Sequence, residues 1–459
     1  MTTPLSNPPK PQTDLRRVAI LFSGGPAPAA NAVIASAASC FSRNGIQVLG
    51  MLNGYTHLED YEAGQELDEG KAYKILDHKE LEGMRTTRGI MIGTARVNPG
   101  ENLKKPEDLN SAAACAPLAR VYEALCWLGV DALVSVGGDD TLTTAYKFHR
   151  FQDTLAAEKK RIRVIHLPKT IDNDYEGIDF TFGYFTAVDM LAAQVRNLLA
   201  DAESTGAYYV AQLMGRKAGW LAYGAAIAGE ASLVVGLEDI PDEWWMTEDT
   251  VNPATGSKVL DESNKPVPRR IFRVEAVVNR IVDTLLAREK EGKPYGVVVM
   301  AEGLAEYLPL SQIHQCLPEE EYKNLKVDEF GHFPVSQLKF TGLICRLVKS
   351  EYKKRIDRIN QKDRKLKISG LQFGYEVRCH RPTAFDVVLG SQLGVGAYRA
   401  LAEEGKDAVM VSVTGQLRLT YEPFECLIDP EKLRAHARAI DPQEDFHQLA
   451  RYLEVRVEE

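Results

Sequence analysis

The stretch Pro168-Lys169-Thr170-Ile171-Asp172-Asn173-Asp174 decides the fold prediction, because it ends an apolar run abruptly. The residues before it, 163–167, read Arg-Val-Ile-His-Leu, which is the length of one buried strand and too short for a helix. The proline and the polar residues after it predict a loop at the carboxyl end of that strand. In open α/β sheets this edge is where ligands bind. The loop offers a cation, a hydroxyl and two carboxylates, although a solvated turn rich in Asp and Asn would have the same composition.

Two further strand–loop–helix units help to decide between a ligand-binding loop and a solvated turn. Residues 131–136 form another apolar run, followed by Gly137-Gly138-Asp139-Asp140-Thr141 and by helix-forming sequence. Residues 18–22 run into Ser23-Gly24-Gly25-Pro26-Ala27-Pro28. Glycines let the backbone approach a ligand closely, and the start of a helix presents free N–H groups to an anion. Three such units, two of them with carboxylates, are typical of a site for a polyphosphate and Mg²⁺.

These loops and the later Met214-Gly215-Arg216 together resemble the motifs of the phosphofructokinase family, specifically its pyrophosphate-dependent branch. The resemblance covers most of residues 17–415 and keeps the family's order of motifs. It implies an α/β fold with two Rossmann-like, parallel-sheet α/β/α domains and helical insertions. We expect a disordered arm over 1–15, a phosphoryl-donor domain over 16–185, a sugar-phosphate domain over 186–425 with insertions at 238–270 and 304–368, and a helical tail over 426–459.

The resemblance also implies a role for each candidate residue. Asp172 would be the general base for the 1-hydroxyl of fructose 6-phosphate, Asp139 the carboxylate that binds Mg²⁺, and Asp174 an assisting carboxylate. Thr170 would contact the transferred phosphoryl group and Gly25 would line the donor site. Positive charge would come from Arg96, Lys169 and Arg216.

The sugar phosphate would be bound by a second set of residues, again by resemblance, with Glu302 on the sugar hydroxyls and Arg378 on the 6-phosphate. Taken alone, Glu302 would be typical of a helix N-terminal carboxylate and Tyr375 of a core residue. The full expected set is Thr170, Ile171, Asp172, Met214, Gly215, Arg216, Glu302, Tyr375, Glu376, Val377 and Arg378.

Asp140 is the residue that indicates the phosphoryl donor. The resemblance implies glycine at this position in members that use ATP, whose α-phosphate passes close to the backbone. An aspartate occupies that volume and repels the α-phosphate, so it selects against ATP. Together with Lys169 it favours pyrophosphate. No Walker or dinucleotide-binding fingerprint in the sequence competes for a nucleotide.

The sequence departs from the family pattern in ways that bear on assembly. The two arginines that reach across a subunit interface in ATP-using bacterial members are replaced by Ala207 and Ser369, and Ala29 stands where the family commonly has glycine. We therefore expect a homo-oligomer, with a dimer favoured over the bacterial tetramer. Three alternatives remain: an ATP-dependent enzyme, a pyrophosphate enzyme for another sugar phosphate such as sedoheptulose 7-phosphate, and a non-catalytic regulatory subunit.

Composition bounds the remaining possibilities. The formal net charge of −9 argues against nucleic acid as the main partner, because phosphate-backbone binding needs basic clusters. The seven cysteines are scattered and show no paired spacing, which favours reduced thiols and a cytoplasmic location. No apolar run approaches the ~20 residues of a membrane span. We expect small-molecule substrates, pyrophosphate and fructose 6-phosphate, and no membrane.

Overall fold

The structure is a computed structural model that describes residues 5–261, 263–325, 338–358 and 365–457. The chain forms two compact units, each with its own parallel sheet. Unit 1 comprises residues 1–187 and 376–438, and unit 2 comprises residues 188–375 and 439–459. The expected α/β class with parallel sheets is confirmed.

The strands in the described ranges are β1 Arg17–Ser23, β2 Gln47–Met51, β3 Tyr73–Ile75, β4 Ala132–Gly137, β5 Arg163–Pro168, β6 Tyr208–Leu213, β7 Leu233–Val235, β8 Trp245–Asp249, β9 Pro268–Phe272, β10 Gly296–Ala301, β11 Ile368–Phe373, β12 Val409–Thr414, β13 Arg418–Pro423, β14 Ile428–Asp429 and β15 Arg434–Ala435. The α-helices there are α1 Ala30–Arg43, α2 Thr56–Glu59, α3 Ala112–Trp127, α4 Asp139–Gln152, α5 Tyr184–Thr205, α6 Trp220–Gly229, α7 Val274–Lys290, α8 Leu310–Cys316, α9 Glu319–Lys323, α10 Phe340–Arg358, α11 Ala384–Tyr398, α12 Phe424–Leu427 and α13 Asp445–Leu453.

Unit 1 is built on a seven-stranded sheet in the order β13-β12-β5-β4-β1-β2-β3. Its five central strands are parallel, and the edge strands β3 and β13 are antiparallel to their neighbours. Every residue of β4 is buried, as expected for a parallel strand covered by helices on both faces. Helices α1 and α11 pack together so closely that a Cβ on Gly394 would lie 2.5 Å from the carbonyl oxygen of Val33. Glycine at that position is what permits the contact.

Unit 2 is built on a four-stranded parallel sheet in the order β11-β6-β10-β7. One apolar core, which includes Val210, Val298 and Phe340, packs the sheet against its helices. The end of the chain lies along the edge strand β7. There Val234 N–H donates to Glu454 Oε1 at 2.6 Å, and Val455 N–H donates to the Ser232 carbonyl at 3.3 Å. These bonds occupy polar backbone groups of an edge that would otherwise be open.

The division of the chain differs from the expected one after residue 375. Residues 376–438 belong to unit 1, because β12 extends the first sheet beside β5 and α11 packs on α1. Among the residues expected to bind the sugar phosphate, Glu376, Val377 and Arg378 therefore lie in unit 1. Within residues 428–457 the tail is helical only in α13, and two short paired strands precede that helix.

The two insertions and the amino-terminal arm also differ in detail from what the sequence predicted. The insertion at 238–270 contains a β-hairpin, β8–β9, in addition to irregular chain. The described parts of the insertion at 304–368 are mainly helical, and residues 326–337 and 359–364 lie outside the described residues. Residues 5–15 contain no regular element, but Leu15 is buried and Asp14 Oδ1 accepts from Arg163 Nη2 at 2.6 Å. The carboxyl end of the arm is thus attached to unit 1.

Candidate functional site

The carboxyl edge of the unit 1 sheet brings together the three loops singled out by the sequence. Strands β1, β4 and β5 are parallel neighbours, so their carboxyl ends meet at one edge. The Lys169 side chain lies between two of these loops. If Gly24 and Gly138 each carried a Cβ atom, that atom would lie 3.8 Å and 3.7 Å, respectively, from Lys169 Nζ. A fixed cation therefore lies where the glycine loops approach each other.

The electrostatic environment of Lys169 is set by burial and by three carboxylates. Lys169 is only 8% exposed, and burial lowers the pKa of its ammonium group. The charges of Asp172, Asp139 and Asp174 oppose that shift of its pKa, in that order of strength. One buried cation within electrostatic reach of three acids is an arrangement suited to a polyanion that arrives with divalent metal.

The acidic loop 169–174 is tied to itself and to residue 181 by hydrogen bonds. Asp172 N–H donates to Thr170 Oγ1 at 3.0 Å, and Thr181 Oγ1 donates to the Thr170 carbonyl at 2.7 Å. Asn173 is fully buried with a φ of 55°, a left-handed conformation that asparagine tolerates better than most residues. Its Oδ1 accepts from Thr181 N–H at 2.9 Å. The loop is thus a defined structure and differs from a solvated turn.

A tyrosine and a histidine beneath the loop link it to the neighbouring strand. Tyr175 Oη donates to the Gly137 carbonyl at 2.9 Å and lies 3.1 Å from His166 Nε2. Because the tyrosine proton is used by Gly137, the histidine Nε2–H must be the donor in the second contact. Burial lowers the pKa of His166 to about 3, so the ring stays neutral. Sequence reasoning counted His166 only as a strand residue and did not single out Tyr175.

Asp139 and Asp140 are the first two residues of α4. Asp140 N–H donates to Asp139 Oδ1 at 2.9 Å, and the Asp140 side chain is exposed at the rim. The described residues contain no group of three or more His, Cys, Asp or Glu side chains placed to hold a metal. The Asp139 carboxylate lies directly after the Gly137-Gly138 loop, at the start of α4.

The loop that carries Arg96 is attached to the first glycine loop. Gly24 N–H donates to the Ala95 carbonyl at 2.9 Å, and Thr94 Oγ1 donates to the Gly24 carbonyl at 2.7 Å. Arg96 itself is exposed. On the same edge, the guanidinium carbon of Arg378 would be 3.7 Å from a Cβ on Gly25. Unit 1 thus contains the donor-site candidates together with Arg378.

Unit 2 brings together the other candidates at the carboxyl ends of β6, β10 and β11. The backbone is close-packed here: a Cβ on Gly303 would lie 2.3 Å from the Arg216 carbonyl oxygen, and a Cβ on Gly374 would lie 1.9 Å from Met214 Cγ. Arg216 forms an ion pair with the buried carboxylate of Glu306. Tyr375 is 63% exposed and is therefore not a core residue.

One support of this second loop was missed by sequence reasoning. Glu238 Oε1 accepts from Gly219 N–H at 2.8 Å, directly before α6, and from Ile440 N–H at 3.4 Å. The rings of Trp220 and Phe446 stack with centroids 5.1 Å apart. Residues 440–446 therefore hold the chain that follows Met214-Gly215-Arg216. No local sequence signal links positions separated by more than 200 residues.

None of the helices in the described ranges combines the length and the apolarity that a membrane crossing requires.

Known proteins resemble this chain both in sequence and in fold. Residues 17–257 match the family model described as phosphofructokinase. The pyrophosphate–fructose 6-phosphate 1-phosphotransferase of Thermotoga maritima is 30% identical over 452 residues, which cover 96% of this chain and 91% of the relative. The protein of the same name from Naegleria fowleri is 32% identical over 445 residues, covering 96% and 88%.

More distant similarities extend to ATP-dependent proteins and to a solved structure. An ATP-dependent 6-phosphofructokinase of Mycobacterium tuberculosis is 29% identical over 401 residues, covering 87% of this chain and 91% of the relative. The crystal structure of a pyrophosphate-dependent phosphofructokinase from Marinobacter aquaeolei covers 97% of this chain and 93% of that one, with a TM-score of 0.59 and 17% identity. That structure supports the fold alone.

Proposed function

The chain belongs to the phosphofructokinase family, and we propose that it transfers a phosphoryl group reversibly from pyrophosphate to the 1-hydroxyl of fructose 6-phosphate. The products are fructose 1,6-bisphosphate and phosphate, and the reaction is a step of glycolysis and gluconeogenesis. The observation that carries the proposal is the buried Lys169 between two glycine loops, within electrostatic reach of Asp172, Asp139 and Asp174. The protein is accordingly a phosphotransferase.

Phosphoryl transfer requires little covalent catalysis from the protein, which mainly positions the substrates and stabilises charge. The Asp172 carboxylate takes the proton of the sugar 1-hydroxyl while that oxygen forms a bond to the terminal phosphorus of pyrophosphate. The bond from this phosphorus to the bridging oxygen breaks, and phosphate leaves with the electron pair. Lys169, Thr170 and Arg96 stabilise the negative charge on the transferred group. Asp174 helps to orient the loop that carries the base.

The donor preference rests on Asp140. Its side chain lies at the start of α4 beside the glycine loop, so a donor that continues beyond two phosphates would meet a carboxylate there. We propose that pyrophosphate, with only two phosphates, does not reach it. The two curated relatives that match at 30% and 32% identity carry pyrophosphate in their names, which supports the same donor for this chain.

The metal that fits this site is Mg²⁺, with Asp139 as its protein carboxylate. When bound, Mg²⁺ neutralises charge across the donor phosphates. The protein contributes the carboxylate, and Gly138, where a Cβ would meet nothing nearer than Lys169 Nζ at 3.7 Å, leaves space for the phosphates beside it.

For the sugar phosphate we keep the residues that the resemblance implies, each within its own unit: Met214, Gly215, Arg216, Glu302 and Tyr375 in unit 2, and Thr170, Ile171, Asp172, Glu376, Val377 and Arg378 in unit 1. Glu302 follows β10 directly, and because ligands bind at the carboxyl ends of strands in such sheets, this position supports its proposed role on the sugar hydroxyls. Arg378 remains our candidate for the 6-phosphate.

We further propose a homodimer in the cytoplasm. Ala207 and Ser369 cannot supply the positive charge that would reach a neighbouring subunit's substrate, so the tetrameric arrangement that depends on it is not expected. All seven cysteines are free, in keeping with a reducing compartment. Light scattering on the purified protein checks the oligomeric state.

The test of the proposed function uses purified wild-type protein with fructose 6-phosphate and Mg²⁺. Fructose 1,6-bisphosphate formation is followed by coupling to aldolase, with pyrophosphate or ATP as donor. We expect turnover with pyrophosphate and little with ATP. Higher kcat/KM with sedoheptulose 7-phosphate would correct the sugar, and higher kcat/KM with ATP would contradict the donor. Inactivity with both donors would favour a regulatory subunit.

A further inference from the structure

Arg438, the last residue of unit 1, lies against the backbone of the acidic loop. Its Nη1 donates to the Ile178 carbonyl at 2.6 Å, and its Nη2 donates to the Asn173 and Asp179 carbonyls, both at 3.0 Å. Its own backbone N–H donates to the Asp174 carbonyl at 2.9 Å. This residue lies far beyond positions 17–257, which match the family model.

The residue before it strengthens the same attachment. Ala437 forms an antiparallel bridge with Tyr175, so two consecutive residues of the late chain pair with the segment that follows Asp172. Apart from that bridge, residues 173–179 form turns and irregular chain without a helix or strand. A guanidinium group carries five donors in a fixed plane, which lets a single side chain serve three carbonyl groups.

The charge of Arg438 suits this position as well. Burial lowers the pKa of its guanidinium, and the nearby carboxylates of Asp179, Asp174 and Glu176 oppose that change. The group stays charged at any ordinary pH because an arginine pKa starts above 12. Arg438 therefore supplies a constant positive charge and a constant hydrogen-bonding geometry behind the acidic loop.

We propose that Arg438 is a positioning residue for phosphoryl transfer, acting through the backbone of residues 173–179 to orient Asp172. This proposal rests on the proposed function, in which Asp172 is the base. Arg438 donates to main-chain oxygens of this segment, and it orients the base through them. The residues assigned to the phosphoryl groups, Lys169 and Thr170, are held separately by the Gly137 carbonyl and by Thr181.

That separation predicts which kinetic constant changes. Without the Arg438 side chain the segment after Asp172 loses three hydrogen bonds on one side, those to the Asn173, Ile178 and Asp179 carbonyls, while Thr181 and Tyr175 still hold it on the other. The Asp172 carboxylate should then move away from the position in which it accepts the proton of the sugar hydroxyl. A displacement near ~1 Å can lower the rate on the order of 10²-fold. Binding of pyrophosphate should change much less.

The experiment compares Arg438→Ala with wild type in kcat and in KM for both substrates. We expect kcat to fall by about ten- to a hundredfold while both KM values change by less than about threefold. Added guanidinium ion, at concentrations far below those that unfold proteins, should restore part of the lost kcat. Arg438→Lys should stay impaired, because one ammonium group cannot span three carbonyl groups in a plane.

Arg17→Ala is the matched control. Arg17 lies at the amino edge of the same sheet, where its Nε donates to Gln47 Oε1 at 2.6 Å and its Nη1 donates to the Leu128 carbonyl. Its loss should lower the melting temperature, leave kcat unchanged and give no response to guanidinium.

Three results would overturn the proposal: wild-type kcat in Arg438→Ala, loss of kcat without any guanidinium rescue, or wild-type kcat in Arg438→Lys. If Arg438→Ala does not fold, the lysine variant alone decides. The proposed function fails separately, when the wild-type protein does not use pyrophosphate. If ATP is then the active donor, the same variants are compared with ATP.

Discussion

The two units hold their candidate residues in different ways. In unit 1 the central residues of the acidic loop are nearly inaccessible: Lys169 is 8% exposed, Thr170 9% and Asn173 0%. In unit 2 the side chain of Arg216 is 56% exposed and Tyr375 is 63% exposed. The first set is fixed in place before any substrate arrives, whereas the second presents accessible groups on a close-packed backbone. Substitutions in unit 1 should therefore act mainly on kcat, and substitutions in unit 2 mainly on the KM for the sugar phosphate.

Asp172→Ser gives the largest expected effect, because it removes the base while the hydroxyl can keep part of the hydrogen bonding. We expect kcat to fall by the ~10²–10⁴ typical of losing a general base, with the fold intact. Steady-state kinetics and circular dichroism measure the two quantities. Asp131→Ser is the control: its carboxylate lies at the opposite edge of the same sheet and accepts from Arg16 and Arg17 N–H groups. Near-normal turnover in Asp172→Ser would refute the assignment.

Lys169→Met should have the next largest effect. Removing a buried cation that faces the donor should lower kcat/KM for pyrophosphate by roughly 10²–10³, as for the loss of one preorganised electrostatic contact. The dependence of wild-type activity on pH provides a second test of the role of Lys169. Because the charged ammonium is the active form and burial lowers its pKa, activity should fall as pH rises through a value below the usual ~10.4 of lysine.

The pH profile of the methionine variant tests that assignment directly. Its alkaline limb should disappear or move, since no titrating cation remains at position 169. An unchanged alkaline limb in Lys169→Met would show that another group controls it.

Arg216→Met tests the other side of the comparison. Loss of one charge-assisted contact with the sugar phosphate should raise its KM by about 10- to 100-fold, the equivalent of ~1.5–3 kcal/mol, and change kcat little. Arg196→Met is the control, because Arg196 lies in α5 of the same unit and donates to the Ala228 carbonyl at 2.8 Å. If Arg216→Met lowered kcat and left the KM for the sugar phosphate unchanged, the proposed difference between the two units would be wrong.

The smallest expected effect belongs to Glu238→Ala, which removes the acceptor for Gly219 N–H. One hydrogen bond is worth ~0.5–1.5 kcal/mol, so the KM for the sugar phosphate should rise by about two- to tenfold. Glu238→Gln keeps an acceptor oxygen and should behave like wild type, since burial already raises the pKa of this carboxyl group and disfavours its charge. Equal damage in both variants would mean that the charge, rather than the bond, matters.

The comparison also shows what the sequence could reveal. Strands β1, β4 and β5 and their loops were predictable, because buried parallel strands appear as continuous apolar runs and the loops carry glycine and acidic residues in one short stretch. The edge strands β3 and β13 were not predicted, since they are short or mostly half-exposed and lack such runs.

The supports of the site were hidden for a different reason. Arg438 and Glu238 contact main-chain atoms of segments more than 200 residues away, and the residue type does not show which main-chain carbonyl or N–H groups will be bound by a distant side chain. The return of residues 376–438 to unit 1 was missed for the same reason, because the pairing of β12 with β5 is set by long-range packing.

We propose that unit 1 selects pyrophosphate through Asp140. The most direct measurement is kcat/KM for pyrophosphate and for ATP, in wild type and in Asp140→Gly. A unit-charge repulsion at ~4 Å and an effective dielectric near ~20 is worth about 4 kcal/mol, which sets an upper guide of roughly 10³-fold. We predict that wild type strongly prefers pyrophosphate and that Asp140→Gly gains ATP activity by up to that factor while losing pyrophosphate activity. A folded Asp140→Gly protein that gains no ATP activity would contradict this account of donor choice.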